Sequence, residues 1–211
     1  MAKPENRFSL NFETIGSIAA IVIGACALFV AWDQAQIMRK QQHASVIPAV
    51  NIASGFSSDP DAYVMTVTIS NDGIGPAVIE SAALYVDGEP VRDWPDFRDR
   101  LLPPGLHGDF SSNLDSAIGM LAAGEKSVAI QFLWPRSEET RAGFEALKAR
   151  AFSADSAKTY FSVCYCSVFE KCWMTGPEKS TARPEKVKKC EHAGDDVVAR
   201  LLQTISEDEQ I

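Results

Sequence analysis

From Ile15 to Trp32 the chain runs for 18 residues without a charge, IGSIAAIVIGACALFVAW. As a helix rising 1.5 Å per residue this is about 27 Å, close to the hydrocarbon thickness of a bilayer. Glu13 and Asp33 bracket the run, Trp32 stands where an interfacial aromatic belongs, and Arg39 and Lys40 follow. A helix apolar on every face is either buried in a core or spans a membrane, and an uninterrupted apolar stretch this long favours the membrane. The reading is a single transmembrane helix over residues 15–32, preceded by a tail (1–14) and followed by a Gln-rich helical stalk (33–44). Ile23-Gly24-Ala25-Cys26 is similar to a bacterial lipobox, and cleavage after Ala31 is a second processing alternative. The run stays apolar from Ala27 through Trp32, however, so an uncleaved anchor is expected. Gly16, Ala20 and Gly24 fall four residues apart, spacing that lets a second helix approach closely. These are the expected packing positions of a candidate homo-oligomer within the membrane.

Charge then narrows the partners. The net charge is −8, and the residues before position 44 contribute Lys3, Arg7, Arg39 and Lys40 against Glu5, Glu13 and Asp33. The remainder holds 16 basic and 25 acidic residues, a net of −9. Such a domain is repelled by phosphate backbones, so nucleic acid is excluded as an expected partner. The chain behind the anchor is long enough for one domain with a real core.

That domain reads as mainly β. Ile47-Pro48 with Val50 and Ile52 predicts an edge strand over 45–53, since proline cannot donate to a central ladder. Residues 63–69 alternate Tyr63, Met65, Val67 and Ile69 against Val64, Thr66 and Thr68, the period of a strand. Asn71-Asp72-Gly73 signals a turn, residues 77–86 a long strand, and Asp87-Gly88 a hairpin. Residues 93–102 predict a short helix before Pro103-Pro104. A strand over 127–134, a helix over 138–150, strands over 159–167 and 172–175, and a short strand near 186–190 follow. Residues 195–205 predict an amphipathic helix docking through Val197, Val198, Leu201, Leu202 and Ile205. Short strands divided by turns, without parallel βαβ alternation, point to an antiparallel sandwich over 45–193, then a C-terminal helix and acidic tail over 194–211.

The segments ISNDGIGPAVIESAALYVDGEPV (69–91) and LAAGEKSVAIQF (121–132) resemble the strands and turns of adhesin-like and CARDB-type bacterial sandwiches. With the anchor, QAQIMRKQ, NDGIGPA, VCYCSVFEKCW and a late cysteine in that order, nearly the whole chain resembles a family of uncharacterised single-pass inner-membrane proteins of Gram-negative bacteria. The resemblance implies an Ig-like or CARDB-like sandwich on the periplasmic side. It brings no activity, cofactor or catalytic residue with it.

Four of the five cysteines fall between 164 and 190. On a strand Cys164 and Cys166 share a face. Residues 168–171 can return the chain so that Cys172 meets Cys166, and a third strand can bring Cys190 to Cys164. Three connectivities are formally open. The expected pairs are Cys166–Cys172 and Cys164–Cys190. Reduced core thiols and a four-cysteine zinc site remain alternatives, the latter lacking the C-x2-C knuckles of closed zinc sites. Trp173 is expected to pack against a disulfide.

No nucleophile elbow, zinc-protease motif or phosphate loop is present in the sequence. His43, His107 and His192 are scattered and read as solvated, and the basic stretch 179–189 as a solvated hairpin surface. No catalytic, cofactor-binding or metal residue is expected. The function class this leaves is a membrane-anchored, non-catalytic envelope module that holds a protein partner. The alternative is a thiol–disulfide or metal-binding protein using the cysteine cluster.

Overall fold

A computed structural model describes residues 12–44, 46–151, 158–176 and 184–208. It divides into two units, residues 1–44 and 45–211. The first is one continuous helix, α1 (Phe12–Ala44), about 50 Å long at the standard rise. Over Thr14–Arg39 it is long and apolar enough to cross a membrane. None of its described side chains is buried.

The second unit is an antiparallel sandwich. Its elements in chain order are β1 (Val50–Ser58), β2 (Ala62–Asn71), β3 (Ala77–Val86), β4 (Glu89–Pro90), α2 (Trp94–Leu101), β5 (Ser111–Leu114), β6 (Gly119–Leu121), β7 (Lys126–Pro135), α3 (Glu138–Ala151), β8 (Tyr160–Ser167), β9 (Cys172–Met174), β10 (Glu185–Val187) and α4 (Val197–Asp208). One sheet has the order β1-β2-β7-β5, and the other β10-β9-β8-β3 with β4 and β6 beyond β3. Written as immunoglobulin strands these are A-B-E-D facing G-F-C, so the chain carries the Ig strand order.

Local chemistry explains the junctions. Asp87 and Gly88 have φ of 54° and 86°, the paired positive values of the turn that matches strand twist in a two-residue hairpin. Asp93 caps α2 by accepting from the Asp96 N–H at 2.9 Å. The core between the sheets centres on Trp94, Phe97, Phe132, Trp134 and Phe144, all almost fully buried. Trp94 lies 5.4 Å from Phe132, centroid to centroid, and the Trp134 indole N–H donates to the Leu106 carbonyl at 3.0 Å.

Three expectations are corrected. The first strand starts at Val50 and runs on through Ser58, because residues 46–49 are engaged by the loop after β2 (below) and not by a ladder. Helix α4 buries Val197, Val198, Leu201 and Ile205, while Leu202 is half exposed. Leu202 follows Leu201 by about 100° of helical turn and so leaves the buried stripe. Trp173 packs on the main core, stacked on Tyr165 at 5.8 Å, and not on a disulfide. Neighbouring strand residues point to opposite faces, so a tryptophan next to a face-out cysteine must face in.

Candidate functional site

Strand β8 is buried on both faces, and the two faces differ. Phe161, Val163 and Tyr165 join the core between the sheets, while Cys164 and Cys166 belong to a separate buried cluster on the outer face with Cys172, Cys190 and half-buried Val187. The period-2 alternation of a strand produces this division. Cys164 is bonded to Cys190 with Cα atoms 5.7 Å apart, and Cys166 to Cys172 with Cα atoms 4.0 Å apart.

The hairpin explains the second bridge. The Glu170 N–H donates to Ser167 O at 2.9 Å and the Ser167 N–H to Lys171 O at 2.8 Å, with Glu170 at φ 57°. This is a three-residue loop closed by one left-handed residue. Ser167 and Lys171 form its terminal hydrogen-bonded pair. Cys166 and Cys172, directly opposite one step on, are then the closer, non-hydrogen-bonded kind of pair that a disulfide spans. The two bridges touch: Cys166 Sγ lies 3.9 Å from Cys190 Sγ. The sulfurs of Cys166, Cys172 and Cys190 all lie within 4.8 Å of one another. A groove of about 230 Å³ opens beside the Cys164–Cys190 bridge, lined among others by Ser81, Ser162, His192, Asp195 and Arg200. Its charged groups are spent on each other, Arg200 being ion-paired with Asp195.

At the start of β3 the segments NDGIGPA and LAAGEKS meet around one side chain. Asn71 is fully buried, and its carboxamide is saturated. Its Oδ1 accepts from the N–H groups of Ala49 and Gly73, both at 3.1 Å, and its Nδ2 donates to Gly75 O at 2.8 Å and Leu121 O at 3.0 Å. Its backbone closes the same knot, N–H to Glu125 O at 3.0 Å and O from Gly124 N–H at 2.8 Å. The loop then lies on residues 46–49, with the N–H groups of Asp72 and Ile74 donating to Ala49 O and Ile47 O. A Cβ at Gly73 would come within 2.4 Å of the Ala49 nitrogen, and one at Gly75 within 2.2 Å of the Val46 oxygen. Backbone approach this close admits only glycine.

The remaining buried polar groups are likewise held. Asp196 caps α4 at the Val198 N–H (2.9 Å) and also accepts from Ser116 Oγ (2.8 Å) and the Ala117 N–H (3.1 Å). Ser162 Oγ donates to Thr175 O at 2.5 Å. Burial pushes the Tyr165 phenol above its usual range, opposed by the Val50 N–H that donates to its oxygen at 3.5 Å. His107 Nε2 pairs with Leu102 O at 2.8 Å, His192 is exposed, and the side chain of His43 lies outside the described residues, as do positions 179–183 of the basic stretch. Gly16, Ala20 and Gly24 lie exposed on α1, the two glycines with open space where a Cβ would stand.

The structure thus brings the four cysteines into one patch, while the three helix positions belong to the other unit. Asn71 is the organising residue that sequence reading did not single out, and the Gly73–Gly75 spacing after it was the available signal. No family model, curated protein or solved structure matches this chain.

Proposed function

We propose that the chain is a membrane-tethered, non-catalytic envelope module whose Ig-type domain stands in the periplasm and works by holding a protein partner at the inner membrane. The observation that carries this reading is the pair of disulfides behind a single apolar helix. Such bridges persist in oxidising compartments and are rare where thiols are kept reduced. The buried polar groups support the non-catalytic part. Asn71, Asp196, Ser162 and Tyr165 are each committed to backbone or structural partners, leaving no poised acid–base couple among them.

Alkaline phosphatase fused after Ile211 should be active, and a cytoplasm-only fluorescent protein at the same place dark. The reverse pattern overturns the orientation. Crosslinking in native membranes should recover a protein bound to the domain in stoichiometric amount.

The contact between the two bridges favours one further reading, a thiol–disulfide or metal-binding protein using Cys164, Cys166, Cys172 and Cys190. The four side chains are only 3–6% exposed and lie on or beside strands, away from the helix N-termini that depress thiol pKa values. Counting alkylatable thiols and bound metal in the purified chain separates the readings. The envelope module retains two bridges and no metal.

A further inference from the structure

The sandwich treats its sheet edges unequally. Strand β5 has four residues and is packed by α4, and β10 has three and carries Glu185 and Lys186. The outer edge of β3 is covered along its length by β6 and β4 at its ends, with the Gly194 N–H on Glu80 O and the Ala82 N–H on Asp195 O between them. Short length, charge and covering are the devices by which proteins protect edges from strand addition. Among the described residues strand β1, VNIASGFSS, shows none of them: nine residues at the edge of its sheet without a charge or a proline.

Its free groups can be assigned. The Asp72 N–H donates to Ala49 O at 2.8 Å and the Asp59 N–H to Ala62 O at 2.9 Å, both in the β1–β2 register. Odd-numbered residues of β1 therefore bond to β2, and even-numbered ones turn their N–H and C=O groups outward. The Val50 N–H is spent on the Tyr165 hydroxyl. The outward groups of Ile52 and Ser54 have no partner among the described residues. Around them Asn51, Ala53 and Ser57 present small exposed side chains, so no bulky side chain of the strand itself bars a further strand.

We infer that β1 is a strand-addition edge and that its occupant is β1 of a second copy of this chain, antiparallel about a two-fold axis at Ala53. Ile52 of each copy then exchanges backbone hydrogen bonds with Ser54 of the other, joining two four-stranded sheets into one of eight. Charge selects this occupant. Two domains of net −9 repel over most of their surfaces, and β1 is a neutral stretch where they can meet. Antiparallel pairing also brings Arg136 of each copy, at an end of β1 that carries the exposed Asp59 and Asp61 as well, toward the Asp72 end of the other. At one end of β1, Arg136 is held on Ser58 Oγ (2.6 Å) and Asp59 O (2.8 Å). At the other, Asp72 is held by Asn51 Nδ2 at 2.5 Å. Each Arg136 end thus comes beside the Asp72 end of the other copy, twice over. The inference rests on the tethered reading above only in that a shared membrane raises the copies' effective concentration. The fusion reporters test that reading separately.

The test uses the full chain in detergent micelles, in a Cys26→Ser background that removes the free thiol of the helix. Ala53→Cys places two thiols across the axis in a non-hydrogen-bonded pair, with Cα atoms about 4.5 Å apart, within disulfide reach. Mild oxidation should give a covalent dimer, and Ser57→Cys, about 26 Å from its own copy in this register, should not. Ser54→Pro removes an outward N–H and no bond to β2. It should lower the dimer fraction in sedimentation at least tenfold at unchanged melting temperature. Equal crosslinking at both thiol positions overturns the inference, as does dimer that survives Ser54→Pro. A dimer abolished only by Gly16→Leu with Gly24→Leu places association in the membrane helix and also overturns it. So does a chain that stays monomeric while Ala53→Cys crosslinks to a protein of different mass in native membranes.

Discussion

Two stretches of the sandwich are fastened to it by opposite means. The loop after β2, residues 72–76, is held by the neutral carboxamide of Asn71 and by backbone N–H groups seated on residues 46–49. Cys172, at the start of β9, and Cys190 are tied to the outer face of β8 by two covalent bridges. The knot lies at the end of the core and is satisfied in any compartment. The bridges lie outside the core cluster, cover one face of one strand, and exist only where thiols are oxidised. The core is thus built to survive reduction, and what the redox state governs is the cover on β8.

The largest effect expected is at Asn71. Asn71→Ala strands two buried carbonyls and two part-buried N–H groups at once, which should cost roughly 3–5 kcal/mol at 1–3 kcal/mol for each unsatisfied buried group, the part-buried ones being regained in part by water. Asn71→Asp should be at least as damaging, because it aims a carboxylate at the Gly75 and Leu121 oxygens. Chemical unfolding should give the same loss with and without a reductant. A loss that disappears on reduction would mean that the bridges, and not the carboxamide, hold this loop.

Next come the bridges, and they should be unequal. In the chain-entropy account, closing the 26-residue separation of Cys164–Cys190 stabilises by about 3.5 kcal/mol and the 6-residue separation of Cys166–Cys172 by about 2 kcal/mol. Cysteines must be replaced in pairs, since a lone Cys190 thiolate would stand 3.9 Å from the Cys166 sulfur, placed to exchange with that bridge. In either double Cys→Ser variant, hydrogen exchange should quicken in β8, β9 and β10 and stay slow in β2 and β7. Uniform quickening across both sheets would erase the division between core and cover.

How much of this the sequence disclosed follows from what each residue's signal depends on. Alternation in residues 63–69 and the mostly apolar run of 77–86, broken only by Glu80 and Ser81, are local, and both strands lie where they are expected. The side-by-side placement of Cys164 and Cys166 is also local, a consequence of strand period alone. Strands β5 and β6 were not legible. Ser111–Leu114 and Gly119–Leu121 are too short and polar for a periodic signal, and they become strands only because β7 and β3 offer ladders to them. The same holds for the second half of β1, where Ser54-Gly55 and Ser57-Ser58 read as turn chemistry until β2 pairs with all nine residues. Asn71 is the hardest case. Its partners at positions 49, 75 and 121 are brought together only by the finished sandwich, so the residue is indistinguishable from an ordinary turn asparagine in the chain alone.

The smallest effect expected separates both fastenings from the acid response of the domain. Neither the Asn71 amide nor a disulfide carries a titrating proton, whereas Asp96 on α2 does. Burial works against ionisation of Asp96, but the Arg92 backbone N–H at 3.0 Å and the Arg100 guanidinium at 3.2 Å, with Arg92 behind them, outweigh it and hold the carboxyl below its usual value. A carboxylate whose folded pKa is depressed contributes its full stability above its unfolded value, about 3.9. That contribution is lost as the pH falls through the lower, folded value. The amount is modest, under about 1 kcal/mol for pairs this close to the surface. Melting temperatures followed from about pH 6 to about pH 2.5 should therefore fall less steeply below pH ~4 in Asp96→Asn than in the parent chain. Asn71→Ala should start lower and run parallel to the parent. If Asp96→Asn keeps the parent slope while Asn71→Ala flattens it, acid acts through the knot, and the two fastenings differ in more than their chemistry of closure.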